Sequence, residues 1–196
     1  LEILYDPIIS VKKINKKKLE KIDEKFKNED FILGIGRLTK QKNFKLLIKS
    51  FYEINLRLPE LKLVILGEGE ERAVLEKQIN NLKLKDKVFL EGHKKNVFNY
   101  IYRSKCFVSS SLYEDPGFVI IEAGFLNKIV FAADSKTGPS EILDYSKRGF
   151  LFKNNNYQDM VKTFFNFIKE DPKNLKKKKI ELKKYLKNFT IFSHYK

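Results

Sequence analysis

Read for periodicity, the chain alternates two kinds of segment. Short apolar runs at Phe31 to Ile35, Leu61 to Leu66, Val88 to Leu90, Cys106 to Val108 and Ile129 to Ala132 are apolar at nearly every position, as strands buried on both faces are. Between them, Asn43 to Leu58, Glu70 to Leu82, Val97 to Arg103 and Phe118 to Leu126 carry apolar residues three and four apart, the spacing that gathers them on one helix face. Strand and helix therefore alternate from Phe31 to Ala133. That order predicts an α/β fold, an open parallel sheet with right-handed crossovers and helices on both faces. Two more helical stretches, Tyr157 to Lys169 and Pro172 to Lys187, follow Gly149-Phe150-Leu151-Phe152 and read as packing elements, the second opening on Pro at a favoured first-turn position.

Turn-forming residues fall between these segments: Gly34 and Gly36 after the first apolar run, Gly67 and Gly69 after the second, Gly92 after the third, Asp115-Pro116-Gly117 after the fourth. Ligands of open parallel sheets bind beyond the carboxyl ends of the strands, so these loops are where chemistry is expected.

Composition narrows the classes. A chain of 196 residues with 42% hydrophobic residues and 17 Phe forms one packed unit and is neither disordered nor a coiled coil. No apolar run reaches the roughly 18 residues of a spanning helix, and no signal-peptide order opens the chain; a soluble, unexported domain is expected. Lone Cys106 within an apolar run excludes a disulfide scaffold and reads as an inert thiol. Two distant His, 93 and 194, make a structural zinc site improbable. A net charge of +15 invites a nucleic-acid reading, but only five of the 40 basic residues are Arg, the residue whose planar fork such surfaces favour. Much of the Lys excess lies in two runs, Lys12 to Lys27 and Lys173 to Lys187, at helical spacing. Solvated helix faces, a phosphate track and contact with an anionic membrane surface all fit these runs.

The chemistry-bearing stretch follows the fourth strand: Ser109-Ser110-Ser111-Leu112-Tyr113-Glu114-Asp115-Pro116-Gly117-Phe118-Val119-Ile120-Ile121-Glu122. Glu122 stands in an almost wholly apolar helix, either as a surface carboxylate or as an acceptor for a ligand's vicinal hydroxyls. Glu114 precedes a turn whose Gly117, Phe118 and Val119 put free N–H groups at a helix start, which suits an anion; Glu114 itself fits a capping role equally well. From the first loop, Gly36-Arg37-Leu38-Thr39-Lys40-Gln41-Lys42-Asn43, Arg37 and Lys42 can reach the same cleft, ahead of a helix expected to be capped by Asn43. Cations at one strand end, with an anion-ready helix start and two carboxylates at another, suit a diphosphate and its sugars.

These loops, with Gly67-Glu68-Gly69, Gly138-Pro139-Ser140-Glu141-Ile142 and Gly149-Phe150-Leu151, resemble in order and spacing the donor-binding domain of glycosyltransferase family 4, retaining enzymes of GT-B fold. The resemblance covers about Phe31 to Asp171. It implies a Rossmann-like C-terminal half of a GT-B fold: residues 1–30 as interdomain connection and basic helix, 31–170 as the nucleotide-sugar-binding domain, 171–196 as a C-terminal helix and tail returning toward an N-terminal domain outside the chain. By this resemblance Arg37 and Lys42 contact the diphosphate and stabilise the leaving group without a metal or other cofactor. Glu122 takes the ribose hydroxyls, and Glu114 with Asp115, Gly117, Phe118 and Val119 holds the transferred sugar and a phosphate. Gly36 and Gly67 line the site, and the base lies toward His93 and Lys94. Front-face attack within a short-lived ion pair then needs no enzymic nucleophile. A glycan or lipid-linked acceptor would meet the missing domain, in the cytoplasm or at the inner face of the cytoplasmic membrane. Nucleic acid is not an implied partner.

Two departures accompany the resemblance. Family members commonly read Glu-Gly-Phe-Gly where this chain has Glu114-Asp115-Pro116-Gly117, and Pro116 supplies no N–H. After Glu122 the usual small-residue and Gly-x-Pro segment becomes Gly124-Phe125-Leu126-Asn127, where Asn127 can still adopt the left-handed helix-ending conformation. The Asp-Pro-Gly-Phe variant resembles enzymes of bacterial surface polysaccharide assembly, such as capsule, O-antigen or lipopolysaccharide. The chain opens at Leu1, so a fragment that binds donor and transfers little alone is expected. Sugar-nucleotide epimerases and phosphorylases on the same fold, and a basic nucleic-acid-binding module, are the competing readings.

Overall fold

The structure, a computed structural model, describes residues 7–115, 117–135 and 138–191. Six strands, β1 (Phe31–Ile35), β2 (Lys62–Leu66), β3 (Val88–Leu90), β4 (Cys106–Ser109), β5 (Ile129–Asp134) and β6 (Phe150–Lys153), form one parallel sheet in the order β3-β2-β1-β4-β5-β6. The five runs predicted as strands are β1 to β5. Central β1 pairs Leu33 with Val64 on one side and with Phe107 on the other. The chain moves outward from β1 to β3, returns to the centre, and moves the other way from β4. Loops leaving β1 and β4 therefore diverge, and a crevice opens between them at the carboxyl ends of the strands.

Helices cover both faces because the strands are apolar on both. On one side α2 (Phe44–Asn55), α3 (Arg72–Asn81) and α7 (Tyr157–Lys169) bury Phe44, Leu47, Phe51, Leu75 and Phe164. Phe131 of β5 sits there among Phe150, Phe167 and Phe164, with ring centroids at 5.0, 5.4 and 5.9 Å. Truncating such a wholly buried ring costs about 3–5 kcal/mol. On the other side α1 (Val11–Lys17), α4 (Phe98–Arg103), α5 (Phe118–Phe125), α6 (Pro139–Ile142) and α8 (Pro172–Leu186) bury Ile14, Tyr100, Ile121, Ile142, Leu182 and Leu186. The α5 and α8 helices cross at Gly124, where an added Cβ would meet Leu182 Cδ2 at 2.6 Å and Leu186 Cδ1 at 2.7 Å. Both ends of the described chain join this core: Ile9 N donates to Phe189 O at 2.9 Å and Ile191 N to Ile9 O at 3.1 Å.

Four local expectations are corrected. The run Lys12 to Lys27 is not one helix: α1 ends at Lys17, and Phe26 turns inward to lie 5.8 Å from Phe31 and 5.2 Å from Phe89. Burying that ring outweighs continuing a Lys-rich helix. Alternation does not stop at Ala133, for Phe150–Lys153 is a sixth strand, an edge strand that leaves Lys153 exposed. Gly34 lies inside β1, where a Cβ would press on Phe44 at 3.0 Å and Leu47 at 3.1 Å; its role is close approach of α2. Asn43 occupies the first cap position of α2 but in a left-handed conformation (φ 48°), its side chain turned to donate to Asn155 Oδ1 at 3.1 Å. It caps nothing. Asn127, by contrast, is left-handed at φ 61°, as expected for a helix end. Pro116, the connection at residues 1–6 and the tail at 192–196 lie outside the described residues.

Candidate functional site

The crevice holds two adjoining cavities. The first, about 380 Å³, is walled by Gly36, Arg37, Gln41 and Lys42 after β1 and by Ser109, Tyr113, Glu114, Asp115, Gly117, Phe118 and Val119 after β4. The second, about 470 Å³, is walled by Gly36, Arg37, Gly67, Glu68, His93 and Lys94. Both share Ile35, Gly36 and Arg37. All expected site residues but Glu122 therefore stand on these two walls.

The loops are tied to each other. Leu112 N donates to Gln41 O at 2.8 Å, Gln41 Nε2 to Tyr113 O at 3.1 Å, and Ser110 Oγ to Lys42 O at 2.8 Å. Those bonds fix Lys42 against the β4 loop. Its ammonium donates to both carboxylate oxygens of Glu114, at 2.8 and 3.0 Å. Ser111 Oγ donates to Glu114 Oε1 at 2.6 Å and Ser109 Oγ to the same oxygen at 3.2 Å. A nearly buried carboxylate is thus compensated by a cation and two hydroxyls, as a charge away from water requires.

Arg37 differs from Lys42. It is exposed, its guanidinium makes no hydrogen bond or ion pair among the described residues, and it overlooks both cavities. At the far wall α5 begins after Gly117, whose φ of 87° only glycine adopts readily. Its first backbone bond is from Ile120 N to Gly117 O at 2.9 Å. The amides of Phe118 and Val119 precede that bond and are donors without an intrahelical partner. One wall of the first cavity is cationic, the other an electropositive helix start with Glu114 between, which suits an anionic ligand bearing hydroxyls.

Gly67 sets the width of the second cavity. A Cβ there would lie 1.9 Å from Gly36 O, so only glycine lets the loops after β1 and β2 pass. Arg72 braces this loop, donating to Glu68 Oε1 at 2.9 Å and Leu90 O at 3.1 Å. His93 is exposed on the wall. Lys94 has its ammonium on Asp23 Oδ2 at 2.8 Å and near Glu91 Oε2 at 3.3 Å, with Tyr100 donating to the same Asp23 oxygen at 2.7 Å. Burial opposes the Lys94 charge, but its bond to Asp23 and the electrostatics of Tyr100 and Asp23 outweigh that and hold its pKa up. Asp23 is held below the usual carboxylate range, first by its bond from Lys94.

Glu122 stands apart. It lies one turn beyond Phe118 and Val119 on the same side of α5, half-buried and outside the walls of both cavities. Burial pushes its carboxyl up to about 7, against the pull of nearby Lys13. Sequence reading missed Ser109, Ser111 and Gln41. Ser111 had a local signal, a small hydroxyl three residues before Glu114; Gln41 had none, since its partners lie across the sheet.

Fold and cleft define a doubly wound α/β domain whose crossover crevice sets Arg37 and Lys42 beside Glu114 and a helix start. Residues 15–187 match the family model described as glycosyl transferases group 1, and the chain belongs to that family. It is 35% identical over 170 residues, 87% of the chain and 45% of the relative, to an N-acetylgalactosamine-N,N'-diacetylbacillosaminyl-diphospho-undecaprenol 4-alpha-N-acetylgalactosaminyltransferase of Campylobacter jejuni. Staphylococcus aureus TarM, solved in complex with UDP among other ligands, superposes with a TM-score of 0.77 at 26% identity, over 90% of this chain and 36% of TarM. HepE of Anabaena, solved with UDP and glucose, is alike in fold, with a TM-score of 0.78 at 20% identity over 97% of this chain and 52% of HepE. The chain spans less than half the length of the curated relatives it matches, 45% of the Campylobacter jejuni protein and 29% of an uncharacterised Methanocaldococcus jannaschii glycosyltransferase. Among the described residues no helix is long and apolar enough to cross a membrane.

Proposed function

We propose that this chain is the donor-binding half of a retaining glycosyltransferase of family 4, taking a sugar from a nucleoside diphosphate to a glycan or lipid-linked acceptor in surface polysaccharide assembly. The observation that carries the reading is Lys42 donating to both oxygens of Glu114 beside the unengaged Arg37. An ammonium has three donors; two are on Glu114, and the third is left for a phosphate. Lys42 then holds the sugar-side carboxylate and the diphosphate at once, and Arg37 grips the diphosphate from the shared wall of the two cavities. Charge growing on the departing diphosphate meets these cations and the amides of Phe118 and Val119, with no metal required.

In this reading the sugar sits in the first cavity against Glu114, Asp115 and Gly117, and the base enters the second beside Gly67 and His93. Lys94 shapes that wall while anchored to Asp23. Glu122 meets the ribose once ligand or the acceptor-side domain reaches α5. The relatives named above, one named for transfer to a diphospho-undecaprenol-linked glycan and two solved with UDP, support a nucleotide-sugar donor; the cytoplasm is the place of reaction in this proposal.

Retention is tested on product. With the acceptor-side domain present, an α-configured donor should yield an α-linked product by NMR; a β-linked product rejects the retaining mechanism while leaving donor binding intact.

A further inference from the structure

The Lys runs are not used by the donor site, and the fold gathers part of them on one face. Lys18, just after α1, and Lys128, just before β5, hold their ammoniums 5.7 and 5.6 Å from the centroid of one ring, Tyr102 of α4. Lys128 Nζ also donates to Ser104 O at 2.8 Å. From α8, Lys183 reaches over Phe125 at 5.3 Å. Lys179 is near enough to Lys128, and Lys18 to Lys183, to depress their affinity for protons after burial has done so, Lys128 to about 8. None of these four has a carboxylate partner among the described residues, whereas Lys42, Lys45 and Lys94 each have one. Four uncompensated cations converging from three elements store repulsion that an anionic surface would relieve.

Place and company identify that surface. Lys128 directly precedes β5, and Ser104 lies two residues before β4. The patch is thus at the amino ends of the strands, away from the cleft. Beside it Leu19 is 67% exposed and Tyr102 44% exposed. A soluble phosphate polymer would meet the lysines but give Leu19 no apolar phase to enter; a bilayer interface does both. We propose that this face docks on a bilayer with anionic headgroups, with Lys18, Lys128, Lys179 and Lys183 against the phosphates and Leu19 in the interface beside Tyr102. This stands independently of the transferase reading.

The test is co-sedimentation of the chain with phosphatidylcholine vesicles and with mixed phosphatidylcholine and phosphatidylglycerol vesicles. Two variants of equal net charge are compared: Lys18, Lys128, Lys179 and Lys183 each to Gln, and the exposed Lys77, Lys85, Lys162 and Lys169 each to Gln. The chain should bind only the anionic vesicles, and the first variant should lose at least about ten-fold in partitioning while the second keeps it. Equal loss in both variants would make the effect one of net charge and overturn the proposal, as would equal binding to both vesicle types. The chain has no Trp, so Leu19→Trp gives a single tryptophan whose emission, excited beyond the tyrosine band, should shift to the blue on anionic vesicles. Vesicle binding without that shift overturns the docking face. Tighter capture of inorganic polyphosphate than of vesicles, lost in the first variant, would assign the lysines to a phosphate polymer and overturn the bilayer.

Discussion

Lys42 and Glu114 are bonded across the central crevice, ammonium to both carboxylate oxygens at 2.8 and 3.0 Å, from loops that follow β1 and β4. Removing one partner of a mostly buried pair strands the other. Lys42→Met should lower unfolding free energy by about 2 kcal/mol in a urea titration, and pairing it with Glu114→Gln should recover part of that loss. Additive losses would mean that the pair is not coupled.

Ser111 is the second support of Glu114, by a hydroxyl-to-carboxylate bond of 2.6 Å at a site 2% exposed. Ser111→Ala should cost about 1–2 kcal/mol in the same titration, more than Ser109→Ala, whose bond to the carboxylate is 3.2 Å.

Gly67 admits no side chain, since its Cβ would overlap Gly36 O. Gly67→Ala should force apart the loops after β1 and β2, cost about 2 kcal/mol or more, and abolish nucleotide binding even where the protein remains folded at low temperature. Unaltered binding would place the nucleotide elsewhere.

Glu122 gives a pH dependence with a definite sign. Its folded pKa is raised from 4.5 to about 7, first by burial. Between those values the folded state holds a proton the unfolded state has lost, so this group's stabilising contribution falls as pH rises through that window. Glu122→Gln should flatten the dependence of the urea midpoint between pH 5 and about 7.5. Binding carries the opposite sign: a ribose donating to the carboxylate favours its ionised form, so nucleoside diphosphate should bind with proton release near neutrality and weaken on acidification. Calorimetry in buffers of differing ionisation heat reads that proton directly.

Much of this was legible from sequence where the cause is local. Continuous apolar runs marked β1 to β5, and glycines after them put Arg37, Lys42, Glu114 and Gly117 on strand-end loops. The edge strand β6 was not, because three apolar residues after Gly149 look the same in a loop. Lys94 illustrates a limit of another kind: its capture by Asp23, 71 residues earlier, depends on Phe26 burying itself on β1, and no spacing in the chain encodes that. Glu122 was expected in the cleft with Glu114 but stands one turn deeper on the same side of α5, because a seven-residue interval that includes a turn does not fix how far along the helix the second carboxylate falls.

The donor-site claim is tested most directly by calorimetric titration of the chain with UDP and with GDP in the presence of EDTA, comparing the parent with Arg37→Ala and, as a surface control, Arg103→Ala. One nucleotide should bind with chelator present, Arg37→Ala should weaken it by about 1.5–3 kcal/mol, and Arg103→Ala should leave it unchanged. Binding of equal strength in all three proteins, or none in the parent, would contradict the account.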